Sequence, residues 1–194
     1  MRSLLYFLKF GFSPHSPYGK QHFLTFKTCP IFALHTQFNI YLHYTQKLMV
    51  VTTVITDEAT LQAAYAVRKK VFVEEQQVPE EEEYDEFDLT ATHIAAKMDG
   101  QVVGAARWRF TEKGIKLERF AVLLPYRRSG VGEALLKETL RSVQSNPHHE
   151  GKNIYLHAQT SAIGFYQRFG FAIKGEPFDE CGIMHRVMYL PALS

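Results

Sequence analysis

Between residues 49 and 190, hydrophobic and polar positions fall into short runs of changing period, and these predict alternating strands and helices. Val50, Val51, Thr52, Thr53, Val54 and Ile55 form a β-branched run that ends at Thr56-Asp57, where Asp57 can cap a helix. That helix is expected over about 58–73. There Leu61, Ala64, Tyr65, Val71 and Phe72 recur at three- and four-residue intervals and share one face, and Pro79 stops any continuation. The acidic stretch 80–88 repels itself too strongly for a packed element and reads as a solvated loop or helix turn. Strands over about 92–98 and 102–110 are joined at Asp99-Gly100, a pair suited to the positive dihedral angles of a tight hairpin. A turn at 111–114 returns the chain into a third strand, 115–122, completing a meander. A helix over about 131–143 buries Leu135, Leu136, Leu140 and Val143 and ends before Pro147. A strand at 154–158, a short helix at 161–169 closed by Gly170, and a last antiparallel pair at 171–174 and 184–190 complete the chain. The order β-α-β-β-β-α-β-α-β-β predicts an α/β (α+β) domain, a mixed sheet with helices on its faces.

Composition narrows the picture. With 194 residues, 46% hydrophobic and 22% charged, the chain has room for one sizeable core. The net charge of +2 is unevenly spread. Residues 1–48 carry five basic side chains (Arg2, Lys9, Lys20, Lys27, Lys47) and no acid, leaving 17 basic against 20 acidic beyond them. A mildly acidic body argues against nucleic acid as partner, because phosphate neutralisation needs a dense basic stripe. Residues 1–48, rich in Phe, Tyr and His and broken by Pro14, Pro17, Gly19 and Pro30, show no sustained period and read as a non-domain extension; Met49 is the expected natural start. The run from Leu4 to Leu8 is cut by Lys9, which disfavours a signal peptide, and no apolar run reaches the roughly 20 residues a membrane span needs. Cys29 and Cys181 fall on either side of this boundary, so a disulfide framework is not expected and a reducing cytoplasm fits. His148 and His149, beside Pro147, lack metal-ligand spacing, and no metal is expected.

The most informative stretch is the loop Arg127-Arg128-Ser129-Gly130-Val131-Gly132. A strand feeding a Gly-containing turn and then a helix gathers free backbone N–H groups and the positive helix end at one point, which suits phosphate. Gly130 and Gly132 let the backbone approach closely, and the two guanidinium groups suit phosphate oxygens.

Leu117-Glu118-Arg119-Phe120-Ala121-Val122 followed by this loop resembles motif A of the GNAT N-acetyltransferases. Downstream, His157-Ala158-Gln159 and then Ala162-Ile163-Gly164-Phe165-Tyr166-Gln167-Arg168-Phe169-Gly170-Phe171 resembles their motif B. Val71-Phe72-Val73-Glu74-Glu75-Gln76-Gln77-Val78-Pro79 is similar to the small bacterial subgroup related to the ElaA and YjcF proteins. The resemblance covers about residues 65–190. It implies a mostly antiparallel sheet with helices on both faces and splayed central strands, acetyl-CoA as co-substrate, and direct acetyl transfer to a primary amine of a small molecule or protein. It leaves a homodimer open.

The same resemblance assigns the cofactor site. Pyrophosphate would sit on the N–H groups of Arg128, Ser129, Gly130, Val131 and Gly132 with Arg127 adjacent, and the pantetheine arm would pair with the backbone of Phe120 and Val122. Tyr166 matches the position whose hydroxyl can protonate the departing thiolate. Its alternative role is packing beside Phe165 and Phe169. Glu118 either removes the amine proton or pairs with Arg107 or Arg109 across the sheet; His157 is a second candidate base, and bulk solvent a third. Residues 80–88, if functional, would attract a cationic amine. Two rival readings remain. One is a non-catalytic acyl-CoA-binding module. The other is an acyl-homoserine-lactone-synthase-like enzyme, suggested by Arg68, Val71, Phe72, Glu75, Glu83, Asp85 and Asp88 but lacking the tryptophan such synthases carry after this helix.

Overall fold

The computed structural model of the chain describes residues 49–191; the expected extension, 1–48, lies outside the described residues. Seven strands form one sheet in the order β1-β2-β3-β4-β5-β7-β6. They are β1 (Val51–Val54), β2 (Thr92–Met98), β3 (Gln101–Thr111), β4 (Gly114–Val122), β5 (Ile154–Gln159), β6 (Ala172–Glu180) and β7 (Ile183–Leu190). Every neighbouring pair is antiparallel except β4 with β5. The β2–β3 hairpin turns at Asp99 and Gly100, with φ of +50° and +79°, the left-handed geometry that the pair was expected to supply.

Helix α1 (Glu58–Arg68) is capped as expected, Asp57 accepting from the Thr60 N–H at 2.8 Å. It lays Ala64 and Val67 against Ala95, Val102, Ala105 and Ala121 on one face of the sheet. Its continuation departs from the expected α-helix: Lys69–Glu75 is wound as a π-helix, whose extra residue per turn carries the chain past α1's own axis before Pro79. On the opposite face α3 (Val131–Gln144) buries Leu135, Leu136 and Val143, and α4 (Ile163–Gln167) adds Tyr166. Leu140 packs there only partly buried. β6 is longer than the expected 171–174 because the strand resumes after an irregularity between Lys174 and Phe178. None of the described helices is long and apolar enough to cross a membrane.

The acidic stretch is not a solvated loop. It forms α2 (Glu80–Glu83) and a 3₁₀ turn (Glu86–Leu89), and it packs through its charges. Glu83, Asp85 and Asp88 turn inward onto arginines from three distant elements, while Glu80, Glu81, Glu82 and Glu86 stay exposed. Self-repulsion fails as an argument here because it counts only neighbours in sequence, and the compensating cations come from elsewhere.

Candidate active site

The site begins where two strands part. β4 and β5 pair in parallel only over Ile115–Leu117 and Ile154–Leu156; beyond Leu117 and Leu156 no ladder joins them. On its other edge β4 stays paired with β3, but two β4 residues, Arg119 and Phe120, stand against the single β3 residue Ala106. This β-bulge puts Arg119 in the left-handed region at φ +59°, a conformation that costs a non-glycine residue on the order of 1 kcal/mol. The Arg119 guanidinium offsets that cost. It donates to the carbonyls of Glu82 and Glu83, at 2.9 and 3.1 Å, and to Asp85 Oδ2 at 3.1 Å, so the acidic segment holds the bulge from outside.

That segment is one side of a buried charge cluster. Arg68 donates to Glu83 and Asp88, and Arg107 donates to Asp85, Asp88 and Glu118; both arginine side chains are 1% exposed. Burial works to raise the Asp88 pKa, yet the bonds from Arg68 and Arg107 hold it down at about 2. At Glu83 burial wins over Arg68 and Arg119, and the pKa lies above the ordinary glutamate value. Arg68, Glu83, Asp85 and Asp88 already stand together in the synthase-like pattern, but nothing local pairs them with Arg107 and Arg119, whose charged partners lie 11 to 36 residues away.

Glu118 belongs to the cluster. Its Oε1 accepts from Arg107 Nε at 3.1 Å and from Arg109 Nε at 2.7 Å, and its Oε2 lies 3.0 Å from Lys116 Nζ. Burial pushes its pKa up, but Arg107, Lys116 and Arg109 together hold it below the ordinary value. Of the two roles open to Glu118 from sequence, the cross-sheet pairing with Arg107 and Arg109 is the contact found in the structure.

Below the splay lies the phosphate loop. Gly130 is the N-cap of α3 at φ +92°, and no side chain caps the helix. Arg128, two residues earlier, also has a positive φ, +65°, and its side chain is exposed. Ser129 turns its hydroxyl onto the Tyr126 carbonyl at 2.6 Å. Alternating left-handed residues ahead of an open helix N-terminus form a concave nest of N–H groups suited to an anion. A Cβ on Gly130 would meet nothing within 4 Å, so the protein leaves that space free. Arg127 is placed differently from its neighbour: it donates to both Glu75 carboxylate oxygens at 2.6 Å and to the Val122 carbonyl at 2.9 Å. It braces the loop against the π-helical turn.

The turn also reaches the other wall, because Gln76 Oε1 accepts from Gln159 Nε2 at the end of β5, at 2.9 Å. Residues 75 and 76 therefore span the two strands that splay. Tyr166 lies on the α3 side among Phe120, Phe165 and Phe171. Burial alone raises its pKa, with no hydrogen bond contributing. Its side chain is buried, and no hydrogen bond among the described residues reaches its hydroxyl. On the other face of the sheet His157 Nδ1 lies 3.3 Å from Glu180 Oε2. A cavity of about 700 Å³ lies between α1, the π-helical turn and the end of β4, lined by Ala63, Ala66, Glu75, Val102, Leu123 and Pro125.

Comparison with known proteins agrees with this architecture. A family described as an acetyltransferase (GNAT) domain matches residues 51–191. The uncharacterised protein YyaT of Bacillus subtilis is 40% identical over 138 residues, covering 69% of this chain and 90% of that protein. The uncharacterised N-acetyltransferase YjcF of the same organism is 38% identical over 133 residues, covering 68% and 93%. The crystal structure of Escherichia coli ElaA superposes with a TM-score of 0.67 at 29% identity, covering 74% of this chain and all of that one. These relatives include both proteins that the 71–79 segment was expected to resemble.

Proposed function

Since the chain belongs to the GNAT acetyltransferase family, we propose that it transfers the acetyl group of acetyl-CoA directly to a primary amine of a small molecule or protein. The observation that carries this reading is the alignment of the open β4–β5 splay with the uncapped N-terminus of α3. A long thioester needs a slot for its arm and an anion site at the slot's end, and these residues fit both. The N–H groups of Arg128 to Gly132 would take the pyrophosphate, with the free Arg128 side chain beside them. The backbone of Phe120 and Val122, beyond the end of β4's pairing with β5, would take the pantetheine amides. Arg127 contributes by fixing the loop rather than by its charge, which Glu75 already neutralises.

Tyr166, on the α3 side beside Phe120 of β4, would protonate the departing thiolate. Glu118 is not assigned the base. Three cations share its carboxylate, and a group so stabilised in its charged form accepts a proton poorly. The test is calorimetric titration with acetyl-CoA, followed by release of free CoA in the presence of a panel of primary amines. Binding followed by amine-dependent release is expected; binding with no release across a broad panel would leave the chain an acyl-CoA-binding module instead.

A further inference from the structure

On the face of the sheet opposite Tyr166, six residues from four strands gather next to the splay. Leu156 and Ala158 of β5 point into the α3-side core, so His157 between them points to the other face. It is also the first β5 residue beyond the pairing with β4, which ends at Leu156. The imidazole therefore stands at the rim of the opening through which a thioester held on the α3 side is exposed. It is 27% exposed, within reach of a ligand.

Its surroundings fix its chemistry. Nδ1 lies 3.3 Å from Glu180 Oε2 of β6, and this contact holds the Glu180 pKa down at about 2. An ionised carboxylate only accepts hydrogen bonds, so Nδ1 carries the proton and Nε2 keeps its lone pair. The Phe178 ring meets the imidazole edge to face at 5.0 Å, and Tyr155 flanks it at 6.2 Å. His185 of β7, its Nδ1 bonded to the Ile183 carbonyl, stands 4.0 Å from the same Glu180 oxygen. Lys116 of β4 adds positive charge on Glu180 from the far side while pairing with Glu118. Cys181, next to Glu180 in the β6–β7 turn, also feels its charge.

We infer that His157, oriented by Glu180, is the general base that deprotonates the acceptor amine. The inference rests on the acetyltransferase reading above. Nε2 of His157 takes a proton from the incoming ammonium, and the freed amine lone pair forms a C–N bond at the thioester carbonyl. The tetrahedral intermediate collapses as the C–S bond breaks. The nitrogen gives up a second proton, the thiolate takes one from the Tyr166 side, and one leaves to solvent. The two proton transfers are thereby separated onto opposite faces of the sheet. His157 is a catalytic residue in this scheme, and Glu180 is a positioning residue.

The experiment has two arms on the full chain. The first uses the amine that drives the fastest CoA release from the wild type. His157→Gln should lower kcat/KM about 10²-fold near neutral pH, abolish the acidic limb of the pH profile, and approach the wild-type rate near about pH 10, where free amine is abundant. Acetyl-CoA affinity should stay within about twofold. Glu180→Gln should cost about tenfold, because the imidazole is no longer held in its Nδ1–H form. The second arm needs no turnover: nitrogen NMR of the His157 ring should show the Nδ1–H tautomer, giving way to a mixture in Glu180→Gln. An unchanged acidic limb in His157→Gln, or an Nε2–H tautomer in the wild type, overturns the inference. Failure of the wild type to acetylate any amine while binding acetyl-CoA overturns the acetyltransferase reading instead, and the tautomer still decides whether the pair is built as described.

Discussion

Gly130 and Gly132 separate conformation from space. Gly130 holds φ +92° in a position open on the protein side, so Gly130→Val strains the backbone by about 1–2 kcal/mol and also fills the room left for the anion. Gly132 has an ordinary helical φ, and a Cβ there would meet only the Phe165 ring, at 3.8 Å. Both valine variants are expected to bind acetyl-CoA at least tenfold more weakly, about 1.4 kcal/mol. Only Gly130→Val should lose stability, and calorimetric titration with thermal unfolding of the pair checks both statements. Tyr166 gives a second contrast. Its hydroxyl bonds no other residue among those described, so Tyr166→Phe should keep stability within about 0.5 kcal/mol and keep cofactor affinity while kcat falls about 10²-fold. Full kcat in a regime where chemistry is rate-limiting would make Tyr166 a packing residue alone.

Among the elements, the acidic segment has the largest gap between sequence and structure. The strands, the Asp99-Gly100 hairpin and the two long helices were legible because each is set by local period and turn chemistry. The charge cluster was not, because Glu83, Asp85 and Asp88 meet Arg68, Arg107 and Arg119 only after α1, β3 and β4 have assembled. The Arg127–Glu75 pair was hidden for the same reason: nothing near Arg127 in sequence announces Glu75, 52 residues away. The cluster carries a stability prediction. Asp88 has a folded pKa of about 2 against an unfolded value near about 3.9. Its folded value is depressed, so its contribution of about 2–3 kcal/mol is present in full above about pH 4 and is lost as pH falls toward about 2. Asp88→Asn leaves Arg68 and Arg107 short of a buried counter-charge and should cost about 3 kcal/mol at neutral pH, with its stability flatter than that of the wild type between those two pH values. Urea unfolding of both proteins at about pH 7 and pH 3 measures the difference; equal slopes would remove Asp88 from the stabilising cluster.

At the scale of the whole molecule, the sheet is pinned where it opens. Leu117 and Leu156 close the splay at one end, and the π-helical turn bridges it at the other, Glu75 holding Arg127 and Gln76 holding Gln159. What results is a framed window through the sheet, and in the proposed scheme one of its faces takes the cofactor and the other the acceptor. Two ligands that approach a window from opposite sides do not compete for its entrance, and neither has to leave before the other arrives. Cys181, the one cysteine among the described residues, is exposed in the β6–β7 turn, and burial and neighbouring acids raise its pKa, so it is a poor candidate to hold the acetyl group between two half-reactions. The kinetics should therefore be sequential: double-reciprocal plots of initial rate at several fixed amine concentrations intersect, and no CoA is released ahead of the amine. Parallel lines, with a burst of CoA in its absence, would mean that the enzyme stores the acetyl group and that the two faces are visited in turn.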